Sequence, residues 1–346
     1  MTHTPQHTAA AGNSPRGRGF ARPALILLLS AAALLLICVL SLIAGSKVTD
    51  PGQVLTALRG EGDAHLQTVI ASRIPRTVLG ACVGAALAVA GVLVQGITRN
   101  PLGDPGLLGV SIGASAAVVT ATAFLGFSGG VGTVWIALIG ALLSVSVVYL
   151  VGTRGGGGIA PLLLAGAVVS AVLGTYIQAM ILTRPEVFDS FRFWVIGSLA
   201  GRDLGSLASV APVLILGGLL ALMLASGLNA LALGEDVATS LGVRVAWVRG
   251  GGILSAALLC AAATAAVGPI AFIGLAVPHI VRSLIGTDHR WQIPAAILLG
   301  ATLLIAADIA GRVIARPGEL MVGIVTAFIG APFLLLAVRG GRVVRS

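Results

Sequence analysis

A serine between two glycines is the residue whose surroundings most resemble a catalytic motif. Gly109-Val-Ser111-Ile-Gly113 matches G-x-S-x-G, in which a serine attacks a carbonyl while an acid and a histidine orient and deprotonate it. His279 and Asp308 follow it, but in the reverse of the chain order that hydrolases with this motif use. The serine also opens an apolar run with no predicted strand before it. We therefore predict no catalytic residues, and an intramembrane serine hydrolase is the alternative.

Phosphate-loop and metal chemistry are also missing from the sequence. Lys47 is the only lysine, and it follows Gly45-Ser46, so the chain has no G-x-x-x-x-G-K-[ST] loop. ATP hydrolysis by that route would need another subunit. The three cysteines, Cys38, Cys82 and Cys260, lie in separate apolar runs, and the histidines lack metal-ligand spacing. We predict no metal site, no disulfide framework and no cofactor.

The composition is typical of a helical membrane protein. The chain is 57% hydrophobic and 10% charged, whereas about 25% charged residues are usual in a soluble domain. A helix of about 20 apolar residues crosses the ~30 Å hydrocarbon core of a bilayer. This measure predicts about ten transmembrane helices, at residues 24–44, 77–96, 107–125, 131–151, 160–182, 205–226, 248–267, 269–285, 293–312 and 320–338.

The amino terminus indicates how these helices are oriented. With 48 glycines and 4% aromatic residues, the sequence favours helices packed through small residues over a β-barrel. We predict an all-α polytopic membrane protein with a transmembrane domain at 23–346 and a disordered cytoplasmic tail at 1–22. The first apolar run is longer than the core of a signal peptide, so we expect a retained helix. The arginines before it and the even number of spans put both termini in the cytoplasm.

Basic residues lie on both sides of this topology. Of the 21 Lys and Arg residues, 12 fall on the cytoplasmic side and the other 9 outside, a weaker excess than the positive-inside rule predicts. Either the topology is wrong or some external arginines have a specific role. The net charge of +9 is scattered over short loops, which indicates contact with anionic lipid headgroups rather than with nucleic acid.

Two segments rich in proline and glycine interrupt the apolar pattern. Non-helical backbone at membrane depth is tolerated only where protein or a water-filled cavity surrounds it. Proline removes a donor and disfavours helix at the preceding residue, whereas glycine permits tight turns. The segment 99–115 therefore predicts a sharp cytoplasmic turn into a closely packed helix. A second segment, 268–279, falls on the opposite side of the topology. The turn residues are Asn100, Pro101, Asp104, Pro105, Gly106, Gly109, Gly268, Pro269 and Pro278.

Interrupted segments in corresponding positions of two halves are typical of transporters with inverted repeats. Here we expect spans 2–5 and 7–10 to form the two repeats. A proton-coupled carrier is disfavoured, because it would usually need acidic residues deeper in the membrane than Asp308, which lies near the end of its span.

Several motifs in a fixed order resemble the FecCD-type permeases, over nearly the whole chain from about residue 24. These permeases are the membrane subunits of type II ABC importers for ferric siderophores, haem and cobalamin. The motifs are Arg73-Ile-Pro-Arg76, 84–91, Gln95-Gly96, 99–111, 229–235, 241–243, 268–279, and Asp308 followed by Arg312.

The resemblance implies a plasma-membrane permease of ten helices with the type II importer fold. It implies a second permease subunit, identical or paralogous, two cytoplasmic ATPase subunits, and an external substrate-binding protein whose two lobes carry glutamates. A ferric siderophore is the implied substrate, with cobalamin or haem as alternatives. A zinc or manganese ABC permease is a more distant alternative.

The resemblance also implies roles for individual residues. Arg73, Arg76 and Arg312 would dock the binding protein; the alternative is that they pair with nearby acids such as Asp308 and Glu319.

The loop 228–243 matches the segment that forms coupling helices in the family, and its alternative is packing on the permease's own surface. The residues expected to couple to the ATPase are Leu233, Gly234, Glu235, Ala238, Leu241 and Gly242. The glycine-rich loop 152–161 departs from the family, where small polar residues can gate the exit. Residues 188–198 resemble its short external helix.

Overall fold

The computed structural model describes residues 18–45, 49–61, 63–127, 130–154 and 159–339. Within these ranges the chain forms thirteen α-helices, one 3₁₀ turn at Pro105–Leu108 and no strand. The helices are α1 (Arg18–Ile43), α2 (Pro51–Leu58), α3 (Ala64–Thr98), α4 (Val110–Leu125), α5 (Val131–Arg154), α6 (Ile159–Thr183), α7 (Pro185–Trp194), α8 (Leu204–Ala232), α9 (Glu235–Ser240), α10 (Val245–Val267), α11 (Ile273–Ile285), α12 (His289–Ile314) and α13 (Val322–Arg339).

The ten predicted spans correspond one to one with ten of these helices, namely α1, α3, α4, α5, α6, α8 and α10–α13. Seven are long and apolar enough to cross a membrane, and three apolar helices are shorter, at Val110–Leu125, Ile273–Ile285 and Val322–Pro332. α1 begins at Arg18, so the last five residues of the predicted tail are helical. The remainder of that tail, Lys47 and the glycines at 155–158 lie outside the described residues.

α3 differs most from its predicted span, because it begins thirteen residues earlier. Asp63 caps its amino terminus by accepting a hydrogen bond from the backbone N–H of Leu66 at 2.8 Å. The polar first turns, which carry Arg73 and Arg76, therefore continue the helix beyond the apolar region. α2 was not predicted, although Asp50 and Gln53 form a capping box that marks its start.

The helices begin and end at two opposite ends of the molecule. Arg76, in the first turns of α3, contacts Asp308 near the carboxyl end of α12, so the start of α3 and the end of α12 lie together. This end is called the Arg76 end. At the other end, the Glu235 end, Arg99 after α3 donates to the Leu231 carbonyl of α8. The start of α12 also lies at the Glu235 end, because the His289 backbone N–H donates to Asn229 of α8.

Glycine allows the central helices to approach closely. A Cβ atom added to Gly91 of α3 would overlap the Gly274 carbonyl of α11, and one on Gly84 would overlap the Gly300 carbonyl of α12. Such contacts require small residues, as in other helical membrane proteins. α3 consequently lies against α8, α10, α11 and α12 with its second half almost entirely buried.

The two interrupted segments meet inside the protein. A Cβ atom added to Gly274 would lie 3.0 Å from Pro105 Cδ and 3.1 Å from the Leu87 carbonyl oxygen. Leu87 is eleven residues, about 16 Å, before the end of α3. The sharp turn predicted after Arg99 is therefore present, but it folds back to the depth of Leu87 instead of staying at the end of the molecule. From this meeting point α4 runs to the Arg76 end and α11 to the Glu235 end.

Backbone polar groups in the first segment are satisfied locally. Asn100 Oδ1 accepts from the N–H of Leu102 at 2.9 Å, and Asp104 Oδ1 accepts from that of Gly106 at 2.6 Å. Gly109 has φ +75°, and its carbonyl accepts from Ser144 Oγ at 2.8 Å. This non-helical backbone is stable because side chains of the turns themselves and Ser144 of α5 pair with its polar groups.

In the second segment the backbone departs from helix over Gly268–Phe272, and Gly268 has φ +84°. Pro278 was predicted to belong to this turn, and that prediction is wrong, because Pro278 lies inside α11. The proline leaves the Gly274 carbonyl without its helical donor. Gln95 Nε2 of α3 approaches that carbonyl at 3.5 Å and the Leu275 carbonyl at 3.3 Å.

The packing follows the expected inverted repeat. α3 of the first repeat packs against α11 and α12, while α10 of the second packs against α4 and α5. The first helix of each repeat thus packs against the second and third helices of the other repeat. The two interrupted segments lie at the centre of this arrangement.

Candidate functional site

Arg76 is the centre of an ion-pair cluster at the Arg76 end. Its Nε and Nη2 donate to Asp308 Oδ1 at 3.1 and 3.0 Å, and its Nη1 donates to Glu319 Oε2 at 2.8 Å. Asp308 also pairs with Arg312 at 3.0 Å, one turn further along α12. Asp308 and Arg312 are only 3% and 2% exposed, whereas Arg76 is 12% and Glu319 34% exposed. The cluster therefore has a buried inner pair and an accessible outer pair.

Two of the three predicted docking arginines hold the carboxyl end of α1. Arg73 Nη1 donates to the carbonyls of Leu42 at 2.6 Å and Ile43 at 3.0 Å. Arg312 Nη1 donates to the carbonyls of Ser41 and Ala44, both at 2.9 Å. The last carbonyls of a helix lack intrahelical donors and carry partial negative charge, so buried guanidinium groups stabilise them.

The structure thus brings the three arginines together, and it also shows the pairing that the sequence left open. Arg76 and Arg312 pair with Asp308, and Arg76 also pairs with Glu319. Arg316 was not predicted, yet its Nε donates to the Gly45 carbonyl at 3.1 Å. No sequence motif marks this role, because it depends on where α1 ends.

A cavity of about 280 Å³ adjoins the cluster at the Arg76 end. Its walls include all three arginines, together with His65 and Glu319. Arg73, Arg76 and Arg312 outnumber the two carboxylates of Asp308 and Glu319, so the cluster beside the cavity carries a net positive charge. An acidic side chain is therefore the kind of group that this cavity can accept.

At the Glu235 end, α9 forms a short helix between two glycines with positive φ, Gly234 at +119° and Gly242 at +79°. Arg249 of α10 pairs with Glu235 and so ties the start of α9 to the bundle. Ala238 is fully buried, whereas Leu233, Val237 and Leu241 are exposed.

The predicted short helix is confirmed, and its faces differ in their surroundings. The exposed apolar side chains of Val237 and Leu241 are four residues apart, the spacing of one helix face, and Leu233 is exposed just before Gly234. Ala238 faces the bundle and supports the helix from beneath. An exposed apolar row beside acidic residues is typical of a surface that another protein covers.

A polar junction that sequence reasoning missed connects α8 to α12. Asn229 Nδ2 donates to Asp288 Oδ1 at 2.6 Å, and Asn229 Oδ1 accepts from the His289 backbone N–H at 2.8 Å. His289 Nδ1 lies 2.8 Å from the same oxygen, and its Nε2 is buried against Gly96 with no partner among the described residues. Asp288, as the N-cap of α12, is a sequence signal for this junction.

The serine motif does not form a hydrolase site. Ser111 begins α4 at the interior meeting point, whereas the Asp308 carboxylate lies at the Arg76 end between two arginines. A catalytic acid would instead have to orient a histidine near the serine. The geometry provides no support for the hydrolase alternative.

Comparison with known proteins identifies relatives of this architecture. The FecCD transport family model matches residues 33–340. The chain is 46% identical over 325 residues to the ferric enterobactin transport system permease protein FepD of Escherichia coli, covering 93% of this chain and 96% of the relative. It is 38% identical over 283 residues to the hemin transport system permease protein HmuU of Yersinia pestis, covering 79% and 84%.

The fold also matches a solved structure. A transporter assigned to the metal-chelate type of ABC transporters, in an inward-facing conformation, superimposes with a TM-score of 0.80. Its sequence is 29% identical, and the match covers 92% of this chain and 99% of that one. The family match across most of the chain and the full-length similarity to its relatives show that this chain belongs to the FecCD transport family, whose members are non-enzymatic permease subunits of ABC transporters.

Proposed function

We propose that this permease carries a ferric siderophore across the plasma membrane into the cytoplasm. The observation that carries the proposal is its 46% identity, over almost the full length of both chains, to a ferric enterobactin permease. The relatives also include hemin and cobalamin permeases, so those substrates are the alternatives.

The Arg76 end would face outward and receive the substrate-binding protein. Arg76 and Glu319 are the accessible members of the cluster, and the positive cavity beside them suits a glutamate from one lobe of the binding protein. Charged groups at an interface rim steer the encounter and set its orientation. Arg73 and Arg312 would act from beneath, because their guanidinium groups are already held by α1.

The Glu235 end would face the cytoplasm, with both termini, and bind one of two ATPase subunits. The exposed apolar side chains of Leu233, Val237 and Leu241 would enter a cleft of the ATPase. Gly234 and Glu235 would fix the start of the helix between them and Gly242 its end. Ala238 would contribute by packing beneath the helix. A second permease subunit would complete the conduit and the second ATPase site.

Force would pass between the two ends through α12. This helix is joined to α8, just before the ATPase-contacting segment, by Asn229 and His289. Its other end carries Asp308 and Arg312, which contact α3 and α1. A displacement of α8 driven by ATP would therefore tilt α12 and alter the surface that holds the binding protein.

Competitive uptake tests the substrate. Cells that lack their own FecCD-family permeases would express this chain with a binding protein and an ATPase from the same organism. They would receive radiolabelled ferric catecholate, ferric hydroxamate, haem or cobalamin. We expect uptake of a ferric siderophore that excess haem or cobalamin does not inhibit. Uptake of haem or cobalamin alone would contradict the proposal.

Docking is tested separately by binding of the purified binding protein to the purified permease. Arg76→Glu should abolish uptake while membrane insertion is retained, but it also places a third carboxylate beside Asp308 and Glu319. Glu319→Gln is the matched variant, because it leaves the inner pair intact and makes the cavity more positive. We expect it to strengthen binding at low salt. Unchanged binding in both variants would contradict docking at this surface.

A further inference from the structure

A deep groove lies between α5, α8 and α10 near the Glu235 end. It has a volume of about 830 Å³, within the range of about 300–1,000 Å³ that is usual for small-molecule sites. Its walls are mostly aliphatic, with Tyr149 on α5, Leu224 on α8 and Trp247 and Gly250 on α10. The docking and coupling surfaces described above do not include it.

The groove has the depth of one lipid leaflet. Along α10 it extends from Ala246 to Leu254, eight residues or about 12 Å. Half of a hydrocarbon core of ~30 Å is about 15 Å. Trp247, which is 72% exposed, lies at the end of the groove nearest the molecule's Glu235 end. Tryptophan is enriched at this level of membrane proteins, where the bilayer meets water.

Positive charge lies just beyond the groove on its Glu235 side. Arg154 lies one turn beyond Leu150 on the same face of α5, and Arg244 lies two residues before Ala246 at the start of α10. Both arginines are exposed, and neither forms an ion pair within the described part of the chain. Arg244 occupies the N-cap position of α10 and no side chain caps that helix, so its first N–H groups also face this level.

We propose that this groove binds an anionic phospholipid. An acyl chain would occupy the groove between α8 and α10, and the phosphate would lie between Arg154 and Arg244 near the amino end of α10. The charge pattern selects this occupant, because an apolar helix of a partner protein would leave both arginines and the helix terminus without an anion. Arg249 joins the same helix to Glu235, so a bound lipid would also steady α9. The site does not depend on the identity of the transported substrate.

Tryptophan quenching tests the site in the full chain, reconstituted in phosphatidylcholine bilayers. Phosphatidylglycerol or phosphatidylcholine with brominated acyl chains is added, and the Trp247 signal is taken as the difference from a Trp247→Phe variant. We expect brominated phosphatidylglycerol to half-quench Trp247 at about a tenfold lower mole fraction than brominated phosphatidylcholine, because two arginines face its phosphate. Equal half-quenching by the two lipids, or no quenching by either, would overturn the proposal.

Two variants separate the headgroup contact from the groove. Arg154→Gln with Arg244→Gln should reduce the preference to less than about twofold, whereas Arg59→Gln with Arg192→Gln, which removes the same charge at the Arg76 end, should leave it unchanged. Gly250→Leu would fill the groove, since a Cβ there already lies 3.6 Å from the Tyr149 hydroxyl. It should weaken quenching by both lipids. The proposal would also be overturned if the Arg154→Gln/Arg244→Gln variant kept its preference for phosphatidylglycerol, or if Gly250→Leu left quenching unchanged.

Discussion

Replacing Asp308 by asparagine should destabilise the fold far more than replacing its neighbour Glu319 by glutamine. Asp308 accepts two hydrogen bonds from Arg76, at 3.0 and 3.1 Å, forms an ion pair with Arg312 at 3.0 Å, and is 3% exposed. Asparagine keeps the shape but removes the charge, so the buried Arg312 guanidinium loses its only carboxylate partner within the described residues. Arg76 would retain Glu319.

The expected difference follows from burial. Neutralising one partner of a buried ion pair costs about 3–5 kcal/mol. The Arg76–Glu319 pair is one-third exposed on its acidic side, and such a pair contributes about 0–1 kcal/mol. A loss of about 3 kcal/mol raises the equilibrium constant for unfolding roughly 150-fold, whereas a loss of 1 kcal/mol raises it about fivefold.

The buried thiol of Cys260 provides the assay, because it is 3% exposed in the folded chain. In a Cys38→Ser/Cys82→Ser background, its labelling rate in detergent reports the open population when reclosing is fast. Asp308→Asn should raise that rate by about a hundredfold, and Glu319→Gln by less than about fivefold. Adding Arg312→Gln to Asp308→Asn removes the unpaired charge and should recover part of the loss. Equal labelling in the two single variants would refute the reasoning.

Three further predictions concern the centre and the Glu235 end. Gly91→Val should destabilise the fold by about 1–3 kcal/mol or more in the same labelling assay, because the valine side chain would overlap the Gly274 carbonyl. Gly218→Ala is the control and should have little effect, because no atom lies near that position. Cysteines at 237 and 241 should cross-link to the ATPase, whereas a cysteine at Ala238 should not, because that side chain faces the bundle. The reverse pattern would place the interface elsewhere. Asn229→Leu removes the hydrogen bonds to His289 and should uncouple the Arg76 end from the Glu235 end, so that ATPase activity no longer responds to the binding protein. A normal response would show that α12 does not transmit force through this junction.

Local features explain why much of the fold could be predicted. A span is recognisable because about 20 consecutive apolar residues are needed to cross hydrocarbon, whatever the rest of the chain does. The turns around Pro105 and Gly268 are similarly local, since proline and glycine act on their own backbone. Asp63 and Asp288 cap helices as their residue type favours, although neither cap was predicted. The short helix at 235–240 carries Glu235 and Asp236 in its first turn, where negative charge complements the helix dipole.

The candidate site was less predictable, because the surroundings of its residues come from distant segments. Arg73 and Arg312 could be identified as unusual charges, but their burial depends on α1 ending beside them. Pro278 carries the local mark of a turn, yet it lies in α11, where packing against Gly91 and Gln95 supports the helix around it. Asn229 begins one of the family motifs, but its role in the junction could not be predicted, because its partners lie about sixty residues further along.

By itself, the sequence determined that this chain is a bundle of membrane-spanning helices with two backbone interruptions, because lipid imposes length and hydrogen-bonding requirements on each segment separately. Only the tertiary structure decided how deep the interruptions lie, which arginines are accessible and which helix joins the two ends. Those properties depend on contacts between segments far apart in the chain, where a missing Cβ or a neighbouring carboxylate sets the distance between helices.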